Sequence, residues 1–378
     1  MARPVCLYLH THWDREWYRS FENYRTRLCR VLLEILDWLE ADAQRVFLLD
    51  GQTIVIEDFL AIYPDQAPRL RSLITSERLH VGPWYVLPDE FLVSGEALIR
   101  NLQLGVRQAL SWGQKQLYGY LPDMFGHPAQ MPQLLAKSKL APALIWRGAA
   151  PASAWFSWQA LDGSKLPAVH LTKGYYMDAL HQDEPAWDSL KDTLDAIAAA
   201  TPAGLPLLLP VGADHMGLPR DFEQRLAQAR ERFPEYELKL ASLPEYLQAL
   251  KAAGAPAETL VGELRKASAP YAYVLPGVWS TRRYLKQAND RVQTLLEREI
   301  EPLLAFQWLG GGQPASPLLW QAWKYLLQNQ PHDSICGCSI DEVHQDMLPR
   351  YRWAEEIAAD LRAQAYCSWG GQRLGNDP

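Results

Sequence analysis

Two histidines and an aspartate alternate in His10-Thr11-His12-Trp13-Asp14, close to the start of the chain. The apolar run Val5-Cys6-Leu7-Tyr8-Leu9 just before them reads as a buried strand. Side chains on a strand alternate faces, so a continued strand projects His10, His12 and Asp14 to one side. Imidazoles and a carboxylate are costly to bury together unless something compensates them. A divalent metal such as zinc does so, because both groups are among its ordinary ligands. A satisfied polar strand end is the alternative reading of the same residues.

Three further clusters sit at the ends of apolar or helical segments. Leu121-Pro122-Asp123-Met124-Phe125-Gly126-His127 follows the strand-like stretch Gln116-Leu117-Tyr118-Gly119-Tyr120. Gly212-Ala213-Asp214-His215 follows the apolar run from Leu205 to Val211. Gln328-Asn329-Gln330-Pro331-His332-Asp333-Ser334 lies between two helical patterns. Singly, Asp123 and Asp214 read as turn or helix caps, and His332-Asp333 as an inter-helix loop pair. Acidic residues at three strand ends are harder to assign to caps alone, because ligands of parallel α/β folds bind at that edge.

The positioning elements follow from periodicity. Leu28, Val31, Leu32, Ile35, Leu36 and Leu39 recur at helical spacing over 24–41, and Val46-Phe47-Leu48-Leu49 reads as the next strand. Helical patterns over 67–76 and 96–109 alternate with the strand-like stretch 116–120 and the apolar runs 143–146 and 205–211. This alternation predicts an α/β catalytic domain over 1–275, with parallel strands in a layered or barrel-like arrangement. Composition changes near Pro276, and helical patterns over 281–309, 317–330 and 341–365 predict an all-α three-helix bundle domain over 276–378. Gly310-Gly311-Gly312 stops the first of these helices, and Pro349 is expected to kink or restart the third.

Bulk properties narrow the class. A chain of 378 residues, 48% hydrophobic and 21% charged, fits a soluble globular protein of two domains. A net charge of −7 without a basic run argues against a nucleic-acid partner. Tryptophan is over-used, with 15 Trp beside 17 Tyr, and flat amphipathic rings suit sugar faces as well as cores. The five cysteines are odd in number and form no disulfide framework, which fits a reduced, cytoplasmic setting. Cys336-Gly337-Cys338 is spaced too tightly for the usual zinc or redox pair separated by two residues. Met1-Ala2-Arg3-Pro4 runs straight into the first strand, leaving no room for a signal peptide, and no apolar stretch suggests a membrane span. Self-association stays open.

Together these motifs resemble glycoside hydrolase family 38, the zinc-dependent retaining α-mannosidases. The resemblance rests on His12-Trp13-Asp14, on Pro122-Asp123-Met124-Phe125-Gly126 with Gln130 to Leu135 behind it, and on Asn329 to Ser334. The variant from His10 to Tyr18 and the run from Cys336 to Met347 are more similar to the bacterial branch. The likeness extends from the first strand through the helical region. It implies one zinc ion per chain, held by His12, Asp14, Asp123 and His332, the last from the helical domain. It makes Asp123 the nucleophile as well as a ligand, and Asp214 the general acid/base. Trp17 and Phe125 would form the aromatic wall of the sugar subsite, with Arg147 and Asp333 as polar residues around it.

His10, on the same strand face, is then either a supporting residue behind His12 or a reserve ligand, and His215 either tunes Asp214 or is a hydrogen-bonded loop histidine. The implied reaction cleaves a terminal α-mannoside, or a mannose-containing oligosaccharide, through a covalent mannosyl-aspartate. Two other readings remain. One is a metal-dependent polysaccharide deacetylase, which also places His and Asp ligands at strand ends. The other is a catalytically incomplete sugar-binding fragment, since family members usually continue into β-sandwich domains that help close the site.

Overall fold

The computed structural model describes residues 2–252, 254–267, 269, 272–313 and 317–370, so 371–378 of the expected second domain lie outside the described residues. The chain divides into two compact units. The first comprises Met1–Arg15, Glu22–Leu87 and Leu102–Leu275; the second comprises Glu16–Phe21, Pro88–Asn101 and Pro276–Pro378.

The first unit is mixed α/β with parallel sheets. Its strands are β1 (Arg3–Leu9), β2 (Phe47–Leu48), β3 (Leu79–His80), β4 (Gly119–Leu121) and β5 (Ala143–Ile145). They continue with β6 (Trp155–Gln159), β7 (Lys165–His170), β8 (Leu207–Val211), β9 (Tyr236–Leu240) and β10 (Glu258–Val261). β1 lies between β8 and β9, parallel to both, with Leu7 opposite Leu209 on one side and Leu240 on the other. Such a strand is flanked on both edges and covered on both faces, which explains the unbroken apolar run at Val5–Leu9. A second sheet has the order β10-β6-β7-β5-β4, and β2 pairs with β3.

The helix Phe21–Ala41 turns Leu28, Leu32, Ile35, Leu36 and Leu39 inward, and they join Leu7, Leu9 and Leu209 in one apolar core. Burying side chains of this size contributes about 1.5–3 kcal/mol each before entropy is charged against it. One pair departs from the expected all-parallel arrangement: β6 and β7 are antiparallel. Only five residues separate them, too few for a crossover helix, and Gly163 takes φ +83° in the turn.

The second unit has its own core. The helix Arg283–Leu295 passes through a π turn, Leu296–Ile300, into the helix Glu301–Leu309, which ends at the glycine run. Pro317–Leu327 and Asp341–Gly370 pack with it around Leu285, Val292, Trp323, Leu326, Met347 and Tyr351. Pro349 does not restart the last helix, which is continuous from Asp341 to Gly370. Proline removes one backbone donor, but Met347, Tyr351, Ala354 and Ala358 on either side stay buried, and this packing outweighs the lost hydrogen bond. Among the described residues no helix is long and apolar enough to cross a membrane.

Candidate active site

The strand ends of the first unit gather a histidine and four carboxylates. Beyond Leu9 the chain continues as isolated bridges, His10 to Leu48 and His12 to Asp214. The His12 amide donates to Ala213 O at 3.2 Å, and the His215 amide donates to His12 O at 2.8 Å. Backbone register therefore places Asp214 beside His12. Gly212 makes this approach possible, because a Cβ there would lie 2.0 Å from the His10 carbonyl oxygen.

His12 is the centre of the cluster. Its Nε2 lies 3.2 Å from Asp14 Oδ1 and 3.9 Å from Asp123 Oδ2, and its Nδ1 lies 3.4 Å from Asp50 Oδ2. Burial alone would lower the imidazole, but the charges of Asp14 and Asp50 outweigh it and raise His12 well above the usual histidine range. A proton thus balances the carboxylates where a cation would do the same. The surplus of negative charge around one imidazole suits a cation, and His12 and Asp14 offer donor atoms close enough to share one.

Asp50 is held rigidly for its task. Its carboxylate accepts the amides of Gly51 at 2.7 Å and Trp13 at 2.9 Å, and the Gln52 side-chain amide at 2.9 Å. It is fully buried and sits at φ +115°. A carboxylate on the far nitrogen of a metal-binding histidine fixes the ring and its tautomer.

The opposite wall is cationic and aromatic. Arg147 donates from Nε at 2.6 Å and from Nη2 at 2.5 Å to Asp123 Oδ1. Its guanidinium carbon lies 4.1 Å from the Trp146 ring centroid and 5.6 Å from that of Phe125. A paired, stacked arginine fixes one oxygen of Asp123 and leaves the other toward His12.

Tyr175 completes the first-unit cluster. Its loop is pinned by reciprocal backbone hydrogen bonds between Met177 and Gly212, at 2.8 and 3.0 Å. The Tyr175 hydroxyl donates to Asp214 Oδ1 at 2.6 Å. Burial, with the nearby Asp123 and Asp214 charges, pushes the phenol well above its usual range, so Tyr175 keeps its proton. Asp214 is itself pushed up to about 6, first by burial and then by the charges of Asp14 and Asp123 against the opposing pull of His12. A carboxyl poised there is protonated in mild acid and can exchange a proton near neutrality.

Two other histidines frame the cluster. Burial lowers His10 to about 4, so it is neutral, and its Nε2 donates to Tyr175 O at 2.9 Å. Burial also lowers His215 to about 4; its Nε2 accepts the Asp14 amide at 3.2 Å and its ring stacks on Tyr24 at 4.0 Å. His215 therefore positions Asp14 and makes no hydrogen bond to the Asp214 carboxylate among those described.

The remaining sequence candidates lie in the second unit. His332 and Asp333 open the short buried helix His332–Cys336, capped by Pro331. Trp17 is half-buried, and its carbonyl accepts the Ile340 amide at 3.0 Å. In the same unit Arg350 forms a two-pronged ion pair with Glu16, both contacts 2.7 Å, and Ser334 donates to the same carboxylate at 3.2 Å. Sequence reasoning passed over Asp50, Tyr175, Glu16 and Arg350. Asp50 ends a strand, as Asp123 does, and Glu16 sits two positions after Asp14; Tyr175 carries no local signal.

The chain belongs to glycosyl hydrolase family 38. Residues 3–272 match the family's N-terminal domain, and residues 274–367 match the alpha mannosidase middle domain. A protein named "Putative mannosylglycerate hydrolase" from Halalkalibacterium halodurans is 36% identical over 385 residues, covering 96% of this chain and 42% of the relative. The human alpha-mannosidase 2C1 is 25% identical, over 90% of this chain and 33% of its own length. The crystal structure of an alpha-mannosidase from Enterococcus faecalis is 34% identical with a TM-score of 0.90, covering 98% of this chain and 43% of that one. The chain thus spans less than half the length of these relatives.

Proposed function

We propose that this chain is the catalytic region of a zinc-dependent retaining glycoside hydrolase that cleaves terminal α-mannosides. The observation that carries the reading is the meeting of Asp14, Asp123 and Asp214 around His12 in a member of this family. Asp123 acts as nucleophile. Its carboxylate attacks the anomeric carbon while Asp214 gives its proton to the departing glycosidic oxygen, leaving a mannosyl ester on Asp123. Asp214, now a carboxylate, takes a proton from the water that attacks the same carbon and frees Asp123. Arg147, locked on Asp123 Oδ1, aims the attacking oxygen.

His12, Asp14, Asp123 and His332 would hold one zinc ion; two imidazoles and two carboxylates suit that ion. When bound, it supplies a Lewis-acidic anchor for sugar hydroxyls. Trp17 and Phe125 stack on the sugar, and Asp333 and Arg147 hydrogen-bond it. The reading includes a barrel-like catalytic domain over 1–275 and a three-helix bundle over 276–378 that contributes His332. It also includes a cytoplasmic setting without nucleic-acid or membrane partners. Family membership supports glycoside cleavage over polysaccharide deacetylation.

The names of the relatives suggest two substrates to compare, an aryl α-mannoside and mannosylglycerate. The purified chain should contain about one zinc per molecule and lose hydrolysis of both to a chelator. A chain that binds no zinc, or one that hydrolyses these substrates undiminished after zinc is stripped, contradicts the reading.

A further inference from the structure

A one-residue spacing keeps two cysteines from lying on one helix face, yet the second unit brings Cys336 and Cys338 together. The helix His332–Cys336 ends at Gly337, which takes φ +89° and turns the chain back. A Cβ at Gly337 would meet Thr281 Oγ1 at 3.0 Å, so a side chain is disfavoured there twice over. After this turn Cys338 Sγ lies 3.0 Å from Asp333 Oδ1 and 3.8 Å from Asp333 O, while Cys336 Sγ lies 3.6 Å from Asp333 O. The two sulfurs and an Asp333 carboxylate oxygen all lie within 4.8 Å of one another. Donors sharing one tetrahedral zinc at ~2.3 Å per Zn–S bond are ~3.8 Å apart, so this cluster already has the span of a coordination sphere.

Hydrogen bonding with Cys336, burial and the Asp333 charge push the Cys338 thiol well above its usual range, so only a bound cation would hold it as a thiolate. Lys286 Nζ donates to Cys336 O at 2.7 Å, and Arg282 Nε donates to Gly337 O at 3.0 Å, placing two cations beside the turn. Cys336 is fully buried whereas Cys338 is exposed, which gives an incoming ion a route to the donors.

We propose that Cys336, Cys338 and Asp333 form a second metal site that takes one soft divalent cation such as zinc or cadmium. Binding forms two metal–sulfur bonds and releases the two thiol protons to solvent. Thiolate ligands set its preference for soft ions over calcium or magnesium. Asp333 is also assigned to the sugar subsite, so an ion held here draws that carboxylate away from the substrate.

The test is titration of the fully reduced chain with cadmium, read by ultraviolet thiolate-to-metal charge transfer. Nitrogen and oxygen ligands give no such band, so the readout does not depend on the glycosidase reading. The expected band saturates at about one ion per chain, survives Asp123→Ala, and is lost in both Cys338→Ser and Cys336→Ala. Asp333→Asn should weaken binding about tenfold or more. If buried Cys336→Ala fails to fold by circular dichroism, Cys338→Ser and Asp333→Asn decide alone. No band in the reduced chain, or a band that persists in Cys338→Ser, overturns the site.

Discussion

The two units gather their reactive groups by opposite means. In the first, His12, Asp123 and Asp214 are separated by up to about two hundred positions and meet because the segments that follow β1, β4 and β8, strands of two different sheets, converge. In the second, Asp333, Cys336 and Cys338 lie within six residues and meet through one helical turn and one glycine. The first cluster depends on sheet register, so it inherits the stability of the apolar core. The second depends mainly on a single backbone dihedral and should be lost without unfolding its unit.

Chemistry gives the largest expected contrast. Asp123→Ala should reduce turnover of an aryl α-mannoside by about 10⁴-fold or more, while cadmium binding by the thiols is unchanged. Asp214→Ala should slow a substrate with a poor leaving group by about 10²–10⁴-fold and an activated aryl mannoside far less. Equal slowing of both substrates would remove Asp214 from the acid role.

Two glycines sharpen the comparison through stability. Gly212→Ala drives a Cβ into the His10 carbonyl and should destabilise the protein by about 3 kcal/mol, seen as a lower melting temperature together with lost hydrolysis. Gly337→Ala should destabilise by only about 1–2 kcal/mol, abolish the cadmium band and leave the melting transition cooperative. Comparable losses from both would show that the local turn is as deeply embedded as the strand ends.

The smallest effect is a pH shift. Asp214 works as an acid when protonated, and its folded value is raised to about 6 from an ordinary carboxyl. Activity on poor leaving groups should therefore be present below about pH 6 and fall as pH rises through it. The Tyr175 hydrogen bond favours the charged carboxylate, so Tyr175→Phe should move that limb to higher pH. A downward shift would contradict the assigned hydrogen-bond direction.

The comparison also explains what the sequence made legible. β1, β4 and β8 were readable because strands buried on both faces are largely apolar, and Asp14, Asp123 and Asp214 follow their ends within five residues. The β6–β7 hairpin was not read, since Trp155–Gln159 and Lys165–His170 interleave polar residues and the Asp162-Gly163 turn between them is short. Asp50 follows the same strand-end rule as Asp123, but its role appears only when its carboxylate is seen facing His12 Nδ1. Tyr175 arrives from a loop by a long-range backbone bridge, which no local pattern encodes. That the helix runs on through Pro349 without restarting was not legible, because the packing of Met347, Tyr351 and Ala354 is a tertiary property. That Cys336 and Cys338 come together could not be read from spacing, which omits the positive φ of Gly337.

The central claim is that Asp123 attacks the sugar. It is tested most directly by exposing the chain to a fluorinated, activated α-mannoside whose second step is slow, then locating the adduct by peptide mass spectrometry. The account predicts one sugar esterified to the peptide containing Asp123, absent from Asp123→Ala, with retained anomeric configuration in the product of normal turnover. An adduct on another residue, or turnover with inverted configuration, would contradict it.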